Sequence, residues 1–264
     1  MGSNPTASAM FSYRKKIIAP QNKKIIFLIC GWPGKIWNYY FTAKILELHG
    51  YQSIIYEFDD SILSSSITAT VRNTTLVKND ILKRLGIFKE KGFKDFSIFG
   101  TSYGTVIAFM VADNFSSVSN MIINLSGADL AETVWSWNRG KEGKIKNELK
   151  EMGISLKYLK KKWSRLNPVN NTSHLSDKRI LFYISHKDEV IPYKLQLDLL
   201  NTLNRVNKEV VTVSNLRSNH LFSAAVNLIR YDKYINFLES VNMPTQNINF
   251  ALGSKKQNRL FHCK

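Results

Sequence analysis

The chain has 264 residues, 44% hydrophobic and 22% charged, a globular balance that excludes intrinsic disorder and leaves ample length for a buried core. No apolar run approaches the ~18 residues that cross a bilayer, the start lacks a secretory pattern, and Cys30 and Cys263 lie too far apart to suggest a disulfide framework, so a soluble cytoplasmic protein is expected. The net charge of +17 is spread along the chain without an aromatic-basic module; it is read as compositional, and no nucleic-acid partner is expected.

Residues 1–9 read as a leftover leader before a native start at Met10 and are set aside. Strand-like and helix-like segments then alternate. Lys24 to Cys30 is an apolar strand, Trp37 to His49 a helix ended by Gly50, and Ser53 to Phe58 a second strand. Val71 to Lys91 is a long amphipathic helix ended by Gly92. Phe96 to Phe99 is a strand, Tyr103 to Phe115 a helix, and Met121 to Leu125 a strand. After a long break come the strand Arg179 to Ser185, the helix Tyr193 to Asn204, the strand Glu209 to Val213 and a helix over about Ser223 to Glu239. Such alternation, with nearly continuous apolar strands, predicts an α/β fold: a mostly parallel central sheet with helices on both faces. The core is expected over 10–127 and 174–242, with 243–264 a C-terminal tail. The break at 128–173 carries Trp135, Trp137 and Trp163 among many lysines. It is too long for a crossover and is read as a small helical cap insertion.

The motif Gly100-Thr101-Ser102-Tyr103-Gly104 sits between a strand and a helix. Gly-x-Ser-x-Gly in that context is the nucleophile-elbow pattern. Ser102 must occupy a tight, strained turn, and side chains two residues either side would collide there, which Gly100 and Gly104 avoid. A serine hydroxyl needs a base, and the base an orienting carboxylate. The histidines downstream are His174, His186, His220 and His262. His220 is the expected base, because it follows the last strand and precedes a helix, at the sheet edge where the elbow opens. His186 is the runner-up. Asp188, just after the strand Arg179 to Ser185, is the expected acid, with Glu189 the alternative and an N-cap role its structural counterpart. Two oxyanion donors are expected: the backbone N–H of Tyr103 and that of Trp32, in the turn Gly31-Trp32-Pro33-Gly34 after the first strong strand, whose indole would also wall the acyl pocket.

These residues, in this order, resemble the α/β-hydrolase superfamily, serine esterases and lipases in particular. The resemblance spans roughly Lys24 to Ser240. It departs at Cys30, where many relatives carry histidine; a backbone donor does not need that side chain, and Cys30 is read as a buried small hydrophobe. What the resemblance implies is cleavage of a carboxylic ester or thioester through an acyl-enzyme on Ser102. Peptidase or amidase chemistry, acyl transfer on the same triad, and a silent hydrolase fold used for binding are the alternatives. No cofactor and no metal are expected, and no His/Cys cluster has metal-ligand spacing. The expected substrate is a small ester or acyl compound, lipid-like or anionic, to suit an aromatic cap with a basic rim. Lys144 to Trp163 is read as a solvated helix face in preference to a contact with an anionic membrane.

Overall fold

Ile25, Phe27 and Ile29 face one side of their strand, and Ile26, Leu28 and Cys30 the other; all six are buried. A strand with two buried faces must lie inside a sheet that is covered on both sides. The computed structural model describes residues 11–138, 140–215, 218–240 and 248–250. Its strands are β1 (Tyr13–Ile18), β2 (Lys24–Ile29), β3 (Tyr51–Phe58), β4 (Phe96–Thr101), β5 (Val118–Asn124), β6 (Arg179–Ser185), β7 (Val210–Asn215) and β8 (Ile248–Phe250). They form one sheet in the order β1-β3-β2-β4-β5-β6-β7-β8. Every pairing is parallel except β1 with β3, which runs antiparallel from Tyr13 opposite Phe58 to Ile18 opposite Ser53.

One face carries α1 (Tyr40–Leu48), α8 (His220–Ile229) and α9 (Tyr231–Glu239), which bury Ala43, Leu46, Leu228 and Tyr234 against Ile26, Leu28 and Phe99. The other carries α2 (Ile67–Glu90), α3 (Tyr103–Asn114) and α7 (Tyr193–Val206) over Ile25, Phe27, Ile98 and Phe182. Helix α3 is buried at every position from Tyr103 to Ala112, as the central helix of such a sandwich must be. Ser66 caps α2 through its side chain and so sets the start of that helix at Ile67, four residues before the apolar periodicity shows it.

The last predicted helix is two. It begins at His220, capped by the Asn219 side chain, and breaks at Arg230, whose backbone leaves helical geometry at φ −77°, ψ 62°. Strand β1 has no counterpart in the sequence reading: Arg14, Lys15 and Lys16 make it polar, as an edge strand can be. Ile248–Phe250, within the stretch read as a tail, pairs in parallel with β7. Residues 1–9, His262 and Cys263 lie outside the described residues. Among the described residues, no helix is long and apolar enough to cross a membrane.

The stretch between β5 and β6 folds as α4 (Leu130–Ser136), α5 (Gly140–Glu151) and α6 (Leu156–Trp163), followed by two single 3-10 turns. It is tied down. Asn167 accepts from Leu130 N–H at 3.0 Å and donates to Asp129; Lys160 pairs with Glu132; Trp163 is wholly buried and donates to Ile67 O. In α6 Leu159 and Trp163 point inward while Lys160, Lys161 and Lys162 close the helix, so its basic run is the outer face of a packed helix.

Candidate active site

Ser102 links β4 to α3 with φ 50° and ψ −121°, a left-handed conformation that a side chain rarely adopts. The two flanking glycines make this possible. A Cβ on Gly100 would stand 2.8 Å from the Gly104 carbonyl and 2.8 Å from Thr105 Cα; one on Gly104 would stand 2.6 Å from the Cys30 carbonyl. The second contact fixes more than the turn, because it sets α3 directly against the end of β2. The turn after β2 closes in from the same side: a Cβ on Gly31 would lie 3.3 Å from Ser102 Cβ, and one on Gly34 2.8 Å from Gly31 O.

His220 Nε2 lies 3.0 Å from Ser102 Oγ, and its Nδ1 lies 2.8 Å from Asp188 Oδ2. Both His220 and Asp188 are buried. Three residues 118 and 32 positions apart thus converge at the carboxyl edge of the sheet. Each is held from behind. Asp188 Oδ1 accepts from the N–H groups of Val190 at 2.9 Å and Ile191 at 2.7 Å, so the loop wraps the carboxylate. Gln196 on α7 anchors that loop, accepting from Ser185 N–H and donating to Ile191 O at 2.7 Å. His220 heads α8, and its own N–H donates to Glu189 Oε2 at 3.1 Å. Deeper in, a chain of buried amides ties α8 to the sheet: Asn215 donates to Asn227, and Asn227 to Asn124. Gln196 and these asparagines were not singled out from the sequence. Their side chains bond across elements, and no local pattern announces that.

The alternative groups are engaged elsewhere. His186 Nε2 lies 2.8 Å from Ser214 Oγ, and its ring stacks on Tyr193. His174 is bonded to Asp113 at the end of α3. Glu189 meets the backbone of His220, not its ring nitrogens.

Trp32 and Tyr103 line the same cavity as Ser102, a space of ≈ 760 Å³ that also touches Leu130, Trp137 and Leu221. Tyr103 N–H opens α3, where a helix leaves its first N–H groups without intrahelical acceptors. The Trp32 indole is anchored by donation to Asp60 O at 3.0 Å and stacks 6.2 Å from Trp137 at 8°. Trp137 in turn donates to Val190 O at 2.7 Å. This one side chain therefore joins the inserted helices, the turn after β2 and the loop that carries Asp188. The turn after β2 has two further supports: Gly31 N–H donates to Tyr39 OH at 3.1 Å, and Ile36 N–H donates to Glu57 Oε2 at 2.8 Å. Burial pushes the Glu57 carboxyl up, but the Ile36 N–H, Arg14 and Lys35 outweigh it and hold the group below the usual carboxylate range. Burial, aided by Glu57, drives the Cys30 thiol well above its ordinary value, as fits a small hydrophobe of the interior. Among the described residues, no group of three or more His, Cys, Asp or Glu is arranged to hold a metal ion.

The sequence matches the prolyl oligopeptidase family over residues 79–243, a stretch that holds Ser102, Asp188 and His220. No curated protein matches the chain. Among solved structures, the chain is similar to the esterase Pf2001 of Pyrococcus furiosus, at 15% identity and TM-score 0.60 over 87% of this chain and 92% of that one. It is also similar to the esterase of Exiguobacterium antarcticum, at 13% identity and TM-score 0.54 over 91% and 100%. A third likeness is to DcsB, solved with its substrate analogue, at 12% identity and TM-score 0.58 over 86% and 94%. At these identities the likeness speaks for the α/β-hydrolase fold.

Proposed function

We propose that this chain, which belongs to the prolyl oligopeptidase family and has the α/β-hydrolase fold, cleaves a carboxylic ester or thioester through Ser102, His220 and Asp188. The observation that carries the reading is the unbroken line of polar contacts from Ser102 Oγ through the His220 ring to Asp188, at 3.0 and 2.8 Å, opening into a largely apolar cavity. His220 Nε2 takes the Ser102 proton as Oγ attacks the substrate carbonyl carbon. Asp188 holds the imidazole in the tautomer with its proton on Nδ1 and stabilises the imidazolium. The N–H groups of Tyr103 and Trp32 receive the oxyanion. His220 then gives its proton to the leaving alcohol or thiol. A water deprotonated by the same nitrogen cleaves the acyl-enzyme, releasing the acid and restoring Ser102. The inserted helices, 128–173, act as the cap of this pocket, with Trp137 and Trp32 as its stacked wall.

The family match favours a second reading, hydrolysis of a peptide or amide on the same groups. Product analysis separates the two. The test of both is a fluorophosphonate probe on the native protein: labelling at Ser102, lost in Ser102→Ala, together with release of p-nitrophenol from short-chain esters, is expected. A native protein that the probe leaves unlabelled would falsify the serine mechanism.

A further inference from the structure

Helix α8 starts with His220 and continues Leu221-Phe222-Ser223-Ala224-Ala225-Val226-Asn227-Leu228-Ile229, with no charged residue after the histidine. Its inner face buries Ser223, Asn227 and Leu228. Its outer face is apolar and open: Leu221 is 74% exposed, Phe222 60% and Ile229 61%. A surface helix normally turns polar side chains outward, so this one is inverted. The patch does not stop there. Thr42 on α1 donates to Leu228 O at 3.3 Å, which brings the start of α1 against the end of α8. That end of α1 shows Phe41 at 53% and, one turn earlier, Trp37 at 74%. At the other end Leu221 lines the cavity that holds Ser102.

Charge says what covers this face. Among the described residues neither Lys35 to Leu46 nor Ser218 to Tyr231 contains an acidic residue, and together they carry two lysines and one arginine in a chain of net charge +17; Lys35 pairs with Glu57 and Lys44 with Glu47, both outside these stretches. Lys16 and Lys44 lie 4.8 and 5.9 Å from the Tyr40 ring, pairing ammonium groups with an aromatic at the rim. An apolar face with a cationic rim matches the boundary of an anionic bilayer, where rings enter the acyl layer and lysines reach the headgroups. A second copy of the chain would set one cationic rim against another. A folded partner seated on Leu221 would close the mouth of the cavity, whereas a bilayer would feed it.

We infer that the outer face of α8, with the exposed start of α1, docks the protein on anionic lipid surfaces and turns the Ser102 cavity toward lipid-borne esters. The docking stands by itself; the substrate class rests on the serine-hydrolase reading. This surface is distinct from the basic run of α6.

The test is flotation of the full chain with phosphatidylcholine vesicles and with vesicles half phosphatidylglycerol. The wild type is expected to float with the anionic vesicles, and at least tenfold less with the neutral ones or in 0.5 M salt. Phe222→Asp/Ile229→Asp, and on the other helix Trp37→Ser/Phe41→Ser, each lower anionic binding at least tenfold. Phe222→Asp/Ile229→Asp keeps the wild-type melting temperature and its turnover of a dissolved short-chain ester, so hydrolase activity is read apart from docking. A wild type that stays below both vesicle layers overturns the inference. So do variants that float like the wild type, and so does a wild-type dimer that Phe222→Asp/Ile229→Asp splits into monomers.

Discussion

A single methyl group placed at two glycines should give opposite results. On Gly104 the new Cβ would run into the Ile29 carbonyl and stand 2.6 Å from the Cys30 carbonyl, at least about 0.8 Å short of the 3.4 Å where ordinary contact begins. Both parties are backbone, one at the end of β2 and one in the first turn of α3, so neither yields by a rotamer change. Overpacking of this kind costs about 1–3 kcal/mol. For a domain of this size, at about 2–4 °C per kcal/mol, the melting temperature should fall by about 2–12 °C. Relief requires α3 to move off β2, and Ser102 sits at its head. A shift of about 0.8 Å takes Ser102 Oγ out of hydrogen-bond reach of His220 Nε2, now at 3.0 Å, and a misplacement near 1 Å costs about 100-fold in kcat/KM. Gly86, inside α2, has nothing within 4 Å of the same Cβ. There alanine removes a helix-interior glycine and should stabilise by about 0.5–1 kcal/mol with unchanged kinetics. Calorimetry and p-nitrophenyl butyrate turnover read both variants. A Gly104→Ala protein that melts with the wild type and keeps its kcat/KM refutes the packing argument.

Asp188→Asn keeps an oxygen for the Val190 and Ile191 N–H groups but no longer fixes the His220 tautomer; kcat should fall about 10³–10⁴-fold with the fold intact by circular dichroism, and a fall under tenfold removes Asp188 from the mechanism. Trp137→Phe retains a ring beside Trp32 and loses the donor to Val190 O, so it should cost about 1–3 kcal/mol in urea unfolding and lower kcat/KM through the Asp188 loop; wild-type values for both would show that the bond does not hold the loop. Glu57→Gln tests a pH dependence. The folded carboxyl titrates below its unfolded value, so its stabilisation is complete above the unfolded carboxylate pKa of about 4.3 and disappears as pH falls through the lower, folded value. The gap in melting temperature between wild type and Glu57→Gln should therefore be widest near neutrality and shrink toward pH 3; a gap that grows on acidification would reverse the sign of the argument.

Much of the fold is legible along the chain because its signals are local. Apolar strands from Lys24 and Arg179, helices closed by Gly50 and Gly92, and the glycines around Ser102 each act within a few residues. What escaped was either weak in pattern or remote in origin. β1 is polar because it lies at an edge, and only its pairing with β3 makes it a strand. The break at Arg230 is a backbone turn without Gly or Pro to mark it. Asp188 was legible as a carboxylate after a strand, but the Gln196 amide that steadies its loop comes from a helix turn beyond it. Trp137 was legible as part of a cap; its bond to Val190 and its stack on Trp32 were not.

By itself the sequence determined the periodicities, the tight turn at Ser102 and the order of serine, acid and histidine, since these follow from short-range sterics and from which side chains carry chemistry. Only the tertiary structure decided that Ser102, Asp188 and His220 meet. It also decided that Trp137 joins the inserted helices to the acid loop, and that α8 turns its apolar side outward. Those outcomes depend on how a sheet of parallel strands brings its carboxyl ends to one edge, and on which helix faces remain once the core is full.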